Sequence, residues 1–468
     1  MATIIEQRPL YSILPVGQDV IFTVSNNTIV ATETKVKFIA EVHISSQFPV
    51  SLGNTNNLIG TFKTTPNNAG VGIFDLRPIL ENYVKADNLA YLGSEYKTNT
   101  PPAALDLPIH LIDKFSGNNN AIKYLAIKFK IEYLGATDCN SSQDDNTVAV
   151  ACNEDANSIE YKIFNGYLKR SDTLQLTGNN FGFDTSKFNL SLNTDSFLTN
   201  APTTQYANIE DYGTMSFIDT VGYADSIKFT YYDSSGSLLG VDTVARTTAN
   251  GAYTTYNGYI KMDLLYFGCF PANLTGANLT TWVANSADVS YYTVRAYSTS
   301  IFNWVSKLYT INVNCPDLKG FESIRLAWLN QWGAWDYYTF NKKSVRSLST
   351  KGSTYTQSSG TWNEGVYKLN GYKGGKKSFR VNATEKIKMN TNFVTEAEGE
   401  WFEELINSPE VYILEGYQTD VSDPLLNNYV TPVRLTTSAY TRKTVANDRL
   451  MQYTFEVEKS KTLRTQSV

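Results

Sequence analysis

Apolar and polar residues alternate with a period of two along much of the chain, the pattern of strands with one buried face. In KVKFIAEVHIS, Lys35 to Ser45, the residues Val36, Phe38, Ala40, Val42 and Ile44 share one face and His43 points to the other, which predicts a surface or interface position for the imidazole. AIKYLAIKFKIEYLG, Ala121 to Gly135, sets Leu125, Ile127, Phe129, Ile131 and Tyr133 against Lys128, Lys130 and Glu132. Near the C-terminus, Met451, Tyr453, Phe455 and Val457 alternate with Gln452, Thr454, Glu456 and Glu458. Two hairpins are legible as well. Asp233-Ser234-Ser235-Gly236 lies between apolar runs, and IRLAWLNQWGAWDYYTF, Ile324 to Phe340, turns at Gln331 to Gly333.

Helical signals are few and short. Asp75 can cap a helix whose first turn holds Pro78 and whose apolar stripe is Ile79, Leu80, Tyr83 and Val84. Thr395 and Glu398 form a capping-box pattern ahead of Trp401, Phe402, Leu405 and Ile406, and Asn407-Ser408-Pro409 stops that helix. The expected fold is mainly β, a multi-domain β-sandwich or tail-tube-like architecture with a few short amphipathic helices. Three domains are expected: residues 1–170 with one short helix, a Thr-, Ser-, Asn- and Tyr-rich sandwich insertion over 171–318, and a C-terminal β domain over 319–468 with a helix at 396–407.

Composition narrows the function more than the fold. The chain has 468 residues, enough for a hydrophobic core without disulfide or metal staples. Its 40 Lys and Arg against 45 Asp and Glu leave a net charge of -5, so nucleic acid is not gripped by bulk charge. Aromatic residues make up 13% of the chain, a bias toward strands and interfaces. No basic and apolar leader and no run of 18 apolar residues occurs, so neither an export signal nor a membrane span is expected. Cys139, Cys152, Cys269 and Cys315 form no metal or redox spacing and read as mostly free thiols.

Candidate chemistry is thin. His43 and His110 are the only histidines, which nearly excludes a histidine triad or a multi-histidine metal site. The acidic stretch Asp138 to Ser158 lacks the ligand spacing of a helix-loop-helix calcium site and reads as a solvated loop. Glu398, Glu400, Glu403 and Glu404 crowd one helix rather than facing each other across a cleft, as a glycosidase pair would. Gly371 to Ser378, GYKGGKKS, lacks phosphate-loop spacing and reads as a basic turn. No nucleophile elbow is present. The sequence therefore predicts no enzyme, no cofactor and no metal. Trp328, Trp332 and Trp335 offer two readings, a sugar-stacking platform or the filling of a core or subunit interface, and strand alternation favours the latter.

FDLRPILENYV (Phe74 to Val84), IFNGYLK (Ile163 to Lys169), the aromatic hairpin, the capped helix with PEVYIL after it, and PVRLTTSAYTRKT with LMQYTFEVEKS together resemble virion structural proteins of tailed bacteriophages. The likeness is to tail, ring or baseplate components of phages infecting Bacteroidetes, including crAss-like phages, and it covers roughly the first and last thirds of the chain. The resemblance implies a protein made in the host bacterial cytoplasm that assembles with copies of itself into a ring of the virion tail or connector-proximal barrel. It further implies docking to adjacent tail or connector proteins, with genomic DNA passing through without specific binding. Trp328, Trp332, Trp335, Tyr337, Tyr453 and Phe455 are the expected interface anchors, together with the polar C-terminal tail. A tail-tip adhesin or carbohydrate-binding module, with the middle domain as receptor face, is the alternative, and a glycan hydrolase the least favoured.

Overall fold

The computed structural model describes residues 3–9, 13–46, 50–52, 54–89, 108–113, 115–117, 120–134, 146–151, 161–169, 190, 192–219, 223–246, 255–256, 259–260, 263–274, 279–314, 321–361, 365–369, 371–415, 429–441, 451–461 and 463–464. Strands dominate, in several sheets with few short helices. Among the described residues, no helix is long and apolar enough to cross a membrane.

Two compact units emerge instead of three. The first holds residues 1–205, 212–313 and 329–336; the second holds 206–211, 314–328 and 337–468. The expected boundary near residue 170 does not separate units, and the strand pairing gives the reason. Phe115–Gly117, from the expected first domain, pairs with Asp263–Gly268 of the expected insertion, which also pairs with Thr214–Asp219. A strand shared in this way ties the two segments into one body.

The first unit begins as a β-sandwich. Ile4–Gln7, Ile21–Ser25 and Val71–Asp75 make one sheet, and the long strands Thr34–Ser45 and Ile122–Leu134 are central to the other. Their apolar rows meet face to face: the Phe22 ring lies 5.8 Å from Phe129 and 5.5 Å from Tyr161, and Phe74 lies 5.7 Å from Phe129. The predicted alternation therefore forms the core. The rest of this unit packs Phe197, Phe217, Phe267 and Tyr309 together, with Phe197 4.9 Å from Tyr309 and 5.1 Å from Phe267.

Several local expectations change. His43 does point away from the apolar row, yet it is 3% exposed, because the outer face of its sheet is covered as well; burial pulls its pKa down. The helix after Asp75 is only Arg77–Leu80, and Asp75 accepts from the Arg77 amide rather than forming a regular cap. Within the expected acidic loop, Asn146–Ala151 is a strand paired to Ile122–Leu134. Cys139, Cys152 and Cys315 lie outside the described residues, while Cys269 is buried and in no disulfide.

In the second unit an eight-stranded sheet runs in the order Trp335–Phe340, Ile324–Leu329, Val411–Leu414, Val430–Leu435, Thr454–Lys459, Gly375–Asn390, Val345–Gln357, with Leu463–Arg464 beside Gly375–Asn390. The helix Glu396–Asn407 carries the expected capping box and packs Trp401, Phe402 and Leu405 into the core. Residues 329–336, the turn of the aromatic hairpin, belong to the first unit.

That turn is locked by its sequence. Asn330 Oδ1 accepts from the amides of Trp332 and Ala334 at 3.0 and 3.1 Å, and its side-chain amide donates to Leu198 O at 2.9 Å. Gly333 has φ +73°, and a Cβ there would lie 2.1 Å from Asn165 O. Gly371, by contrast, has open space around it and no left-handed φ. Gly333→Ala should lower unfolding stability by at least about 2 kcal/mol, from left-handed strain plus the backbone clash, whereas Gly371→Ala should stay within about 0.5 kcal/mol. Urea unfolding of the two variants beside the wild type checks the contrast; equal effects would contradict it.

Candidate interaction surface

The six aromatic residues expected to anchor contacts are all inside the chain. Trp332 and Trp335 are each 2% exposed within the first unit, where Trp335 Nε1 donates to Asp87 O at 2.8 Å and its ring lies 4.8 Å from His110. The second unit buries the other four. Trp328 lies 4.8 Å from Trp401 in a tilted pair, Phe455 lies 5.4 Å from Phe402, and Tyr453 lies 5.0 Å from Tyr440. Tyr337 sits under the Arg325 guanidinium at 5.3 Å. Their positions correct the expectation that these rings form a contact surface. The capped helix covers a face that strand alternation alone would leave open. The same burial removes the three tryptophans as a sugar-stacking platform.

Buried polar groups in both units serve packing. Arg325 donates to Thr339 Oγ1 at 2.7 Å and to Asp211 Oδ2 at 3.3 Å, while the Thr339 hydroxyl donates to Asp211 at 2.7 Å. This pair holds segment 206–211 to the second unit, and removing one partner of such a buried pair costs about 3 to 5 kcal/mol. Asp87 is fully buried, and burial pushes its carboxyl well above the ordinary range. Glu404 of the acidic helix is buried, unlike exposed Glu400. Among the described residues no group of three His, Cys, Asp or Glu is placed to hold a metal ion.

The exposed surface with a distinct character is a different element. Val345–Gln357 and Gly375–Asn390 form one long antiparallel ribbon, paired from Val345 with Lys388 out to Gln357 with Gly375. At 3.3 Å per residue the 13 residues of the first strand span about 43 Å. No side chain of that first strand is buried; in the second, only Ala383, Ile387 and Met389, all near the sheet, are. Thr454–Lys459 pairs with the second strand only over Lys386–Asn390, and Leu463–Arg464 only at Asn382 and Ala383. Beyond Asn382 no further strand of the sheet pairs with the ribbon among the described residues.

Its root and its tip are both built. At the root, Arg346 donates to Glu322 at 2.9 Å and to Glu385 at 2.7 Å, and Lys459 lies 3.3 Å from Glu385. Hydrogen bonding to Arg346 holds both carboxyls below their ordinary pKa. Farther out, the Tyr355 and Phe379 rings meet edge-on at 6.3 Å, where Phe379 is the extra residue of a bulge opposite Ser353 and Thr354. In the tip, the Tyr367 ring lies over Gly360 and leaves no room for a Cβ there, and Gly360 also takes φ +91°. The Lys368 amide donates to Thr361 Oγ1 at 2.9 Å, and Lys377 Nζ donates to Tyr372 O at 2.9 Å.

The ribbon nevertheless exposes Leu348, Val366, Leu369, Tyr372 and Phe379, with Val366 80% and Tyr372 74% exposed. Sequence reasoning missed it because SLSTKGSTYTQ has no apolar face, so the period-two test finds nothing, and GYKGGKKS reads as a turn. A run of Ser, Thr and Tyr ahead of the glycine-rich stretch Gly371 to Gly375 was the available signal. No family model and no curated protein matches the chain.

A depressed native pKa contributes stability that is fully present above the unfolded glutamate value of 4.5 and is lost as pH falls through the native value. Arg346→Ala should therefore lower the melting temperature at neutral pH, and the difference from wild type should vanish as pH falls below the ordinary glutamate range. A difference that persists unchanged in acid would contradict the ion network at the root.

Proposed function

We propose that the chain is a non-enzymatic structural protein of a tailed-bacteriophage virion, assembling with copies of itself into a ring of the tail or connector-proximal barrel and docking to neighbouring rings around the DNA channel. The observation that carries this reading is the ribbon. A two-stranded hairpin with no buried face is marginal in water, and a chain that extends one from a shared sheet and exposes aliphatic and aromatic side chains on it has an element suited to another protein. The aromatic excess supports the same reading indirectly: packed into two rigid units, it supplies a stiff base from which such an arm can project.

The rival reading, a tail-tip adhesin, draws on Phe302. This ring is 81% exposed on a turn in the first unit, at φ +52°, a left-handed conformation that is strained for a bulky side chain. Such a ring on a loop suits recognition of a glycan or receptor.

Light scattering and negative-stain microscopy of the purified full chain separate the two. The ring reading predicts closed assemblies larger than a dimer. A strictly monomeric chain that also fails to join virions, with glycan binding lost in Phe302→Ala, would overturn it in favour of the adhesin.

A further inference from the structure

The modest net charge conceals a strong segregation. Lys351, Lys368, Lys373, Lys376, Lys377 and Arg380 face a single acid, Glu364, over residues 351–380, so this stretch of 30 residues carries +5. The chain as a whole carries -5, which leaves -10 on everything else. Lys351 sits opposite Asn382, the last residue paired to Leu463–Arg464, and the other five bases lie farther out on the ribbon, while Glu322 and Glu385, the acids that accompany Arg346, stay at the root.

We infer that the distal ribbon docks on the acidic body of a second copy of this chain, held by charge attraction and by its exposed apolar side chains. This rests on the homo-oligomeric reading above and adds to it the polarity of the contact. Two ribbons laid against each other would bring +5 against +5, and like charges across an interface cost stability and slow encounter. The complementary charge available on the same molecule is the rest of the chain, which carries -10. The contact is thus arm to body. Repeated in one direction it closes into a ring, and exchanged between two copies it makes a reciprocal dimer. Val366, Leu369, Tyr372 and Phe379 supply apolar area that a purely phosphate-binding arm would not need, so a protein surface is favoured over nucleic acid.

The test uses the full chain and a variant with Lys351→Glu, Lys368→Glu, Lys376→Glu and Arg380→Glu, which turns the distal +5 into -3. All four side chains are exposed, so the melting temperature should hold. In wild type, species above the monomer should shrink between about 50 mM and about 500 mM salt, and in the variant they should be absent. Zero-length amine-to-carboxyl coupling of mixed isotope-labelled chains should link ribbon lysines to carboxylates of the other copy. Reciprocal dimers lost on charge reversal would support the arm contact while contradicting the ring. Large assemblies indifferent to both salt and charge reversal would overturn the arm contact and leave the ring intact. Ribbon lysines that link to no second copy and instead retard a DNA duplex would overturn it in favour of nucleic acid. Should the variant fold poorly, the wild-type salt response and coupling map decide alone.

Discussion

A β-ribbon holds its two strands together by cross-strand hydrogen bonds, but it gains little unless at least one face is taken out of water. In this chain the rule is satisfied almost everywhere. Ile324–Leu329 is buried along its whole length, and Thr34–Ser45 packs its apolar row while covering much of the opposite face. Among the described residues, the longest departure from it is the pairing of Val345–Gln357 with Gly375–Asn390. Its inner end is backed by Ile387 and Met389 and clamped by Arg346, Glu322 and Glu385, whereas its outer end rests on a single aromatic pair and a tip folded over Gly360.

That contrast assigns the aromatic residues their work. Trp328, Trp401, Phe402 and Phe455 build a stiff core beneath the sheet from which the ribbon leaves. Truncating a buried tryptophan of this kind costs about 3 to 5 kcal/mol. Rigidity at the root matters because an arm positions its tip only as well as its base is fixed. The buried aromatics therefore fix the base of the ribbon, while the exposed side chains of the ribbon are ones that the core does not need.

The elements legible in the sequence were those whose pattern records burial. Alternation located Thr34–Ser45, Ile122–Leu134 and Thr454–Lys459, and the capping box located Glu396–Asn407. Asp233 to Gly236 was legible as a turn because its side-chain and backbone requirements are local: Asp233 accepts from the Ser235 and Ser237 amides and Gly236 takes φ +81°. What could not be read was which outer faces would be covered by distant segments. His43 and the aromatic hairpin were misplaced for that reason, since the groups that cover Trp335, such as Asp87, are 248 residues away in sequence. The ribbon was missed for the opposite reason. A strand that buries nothing leaves no apolar period, and only its segregated charge marks it.

Amide hydrogen exchange along Val345–Asn390 tests the central claim most directly. In the dissociated chain, the amides of residues 353–357 and 375–380 should exchange much faster than those of Ile324–Leu329 in the same sheet, and they should become protected when copies assemble. Protection of the distal ribbon already equal to that of the core strands in the dissociated chain, or none gained on assembly, would contradict an arm kept free for a neighbour.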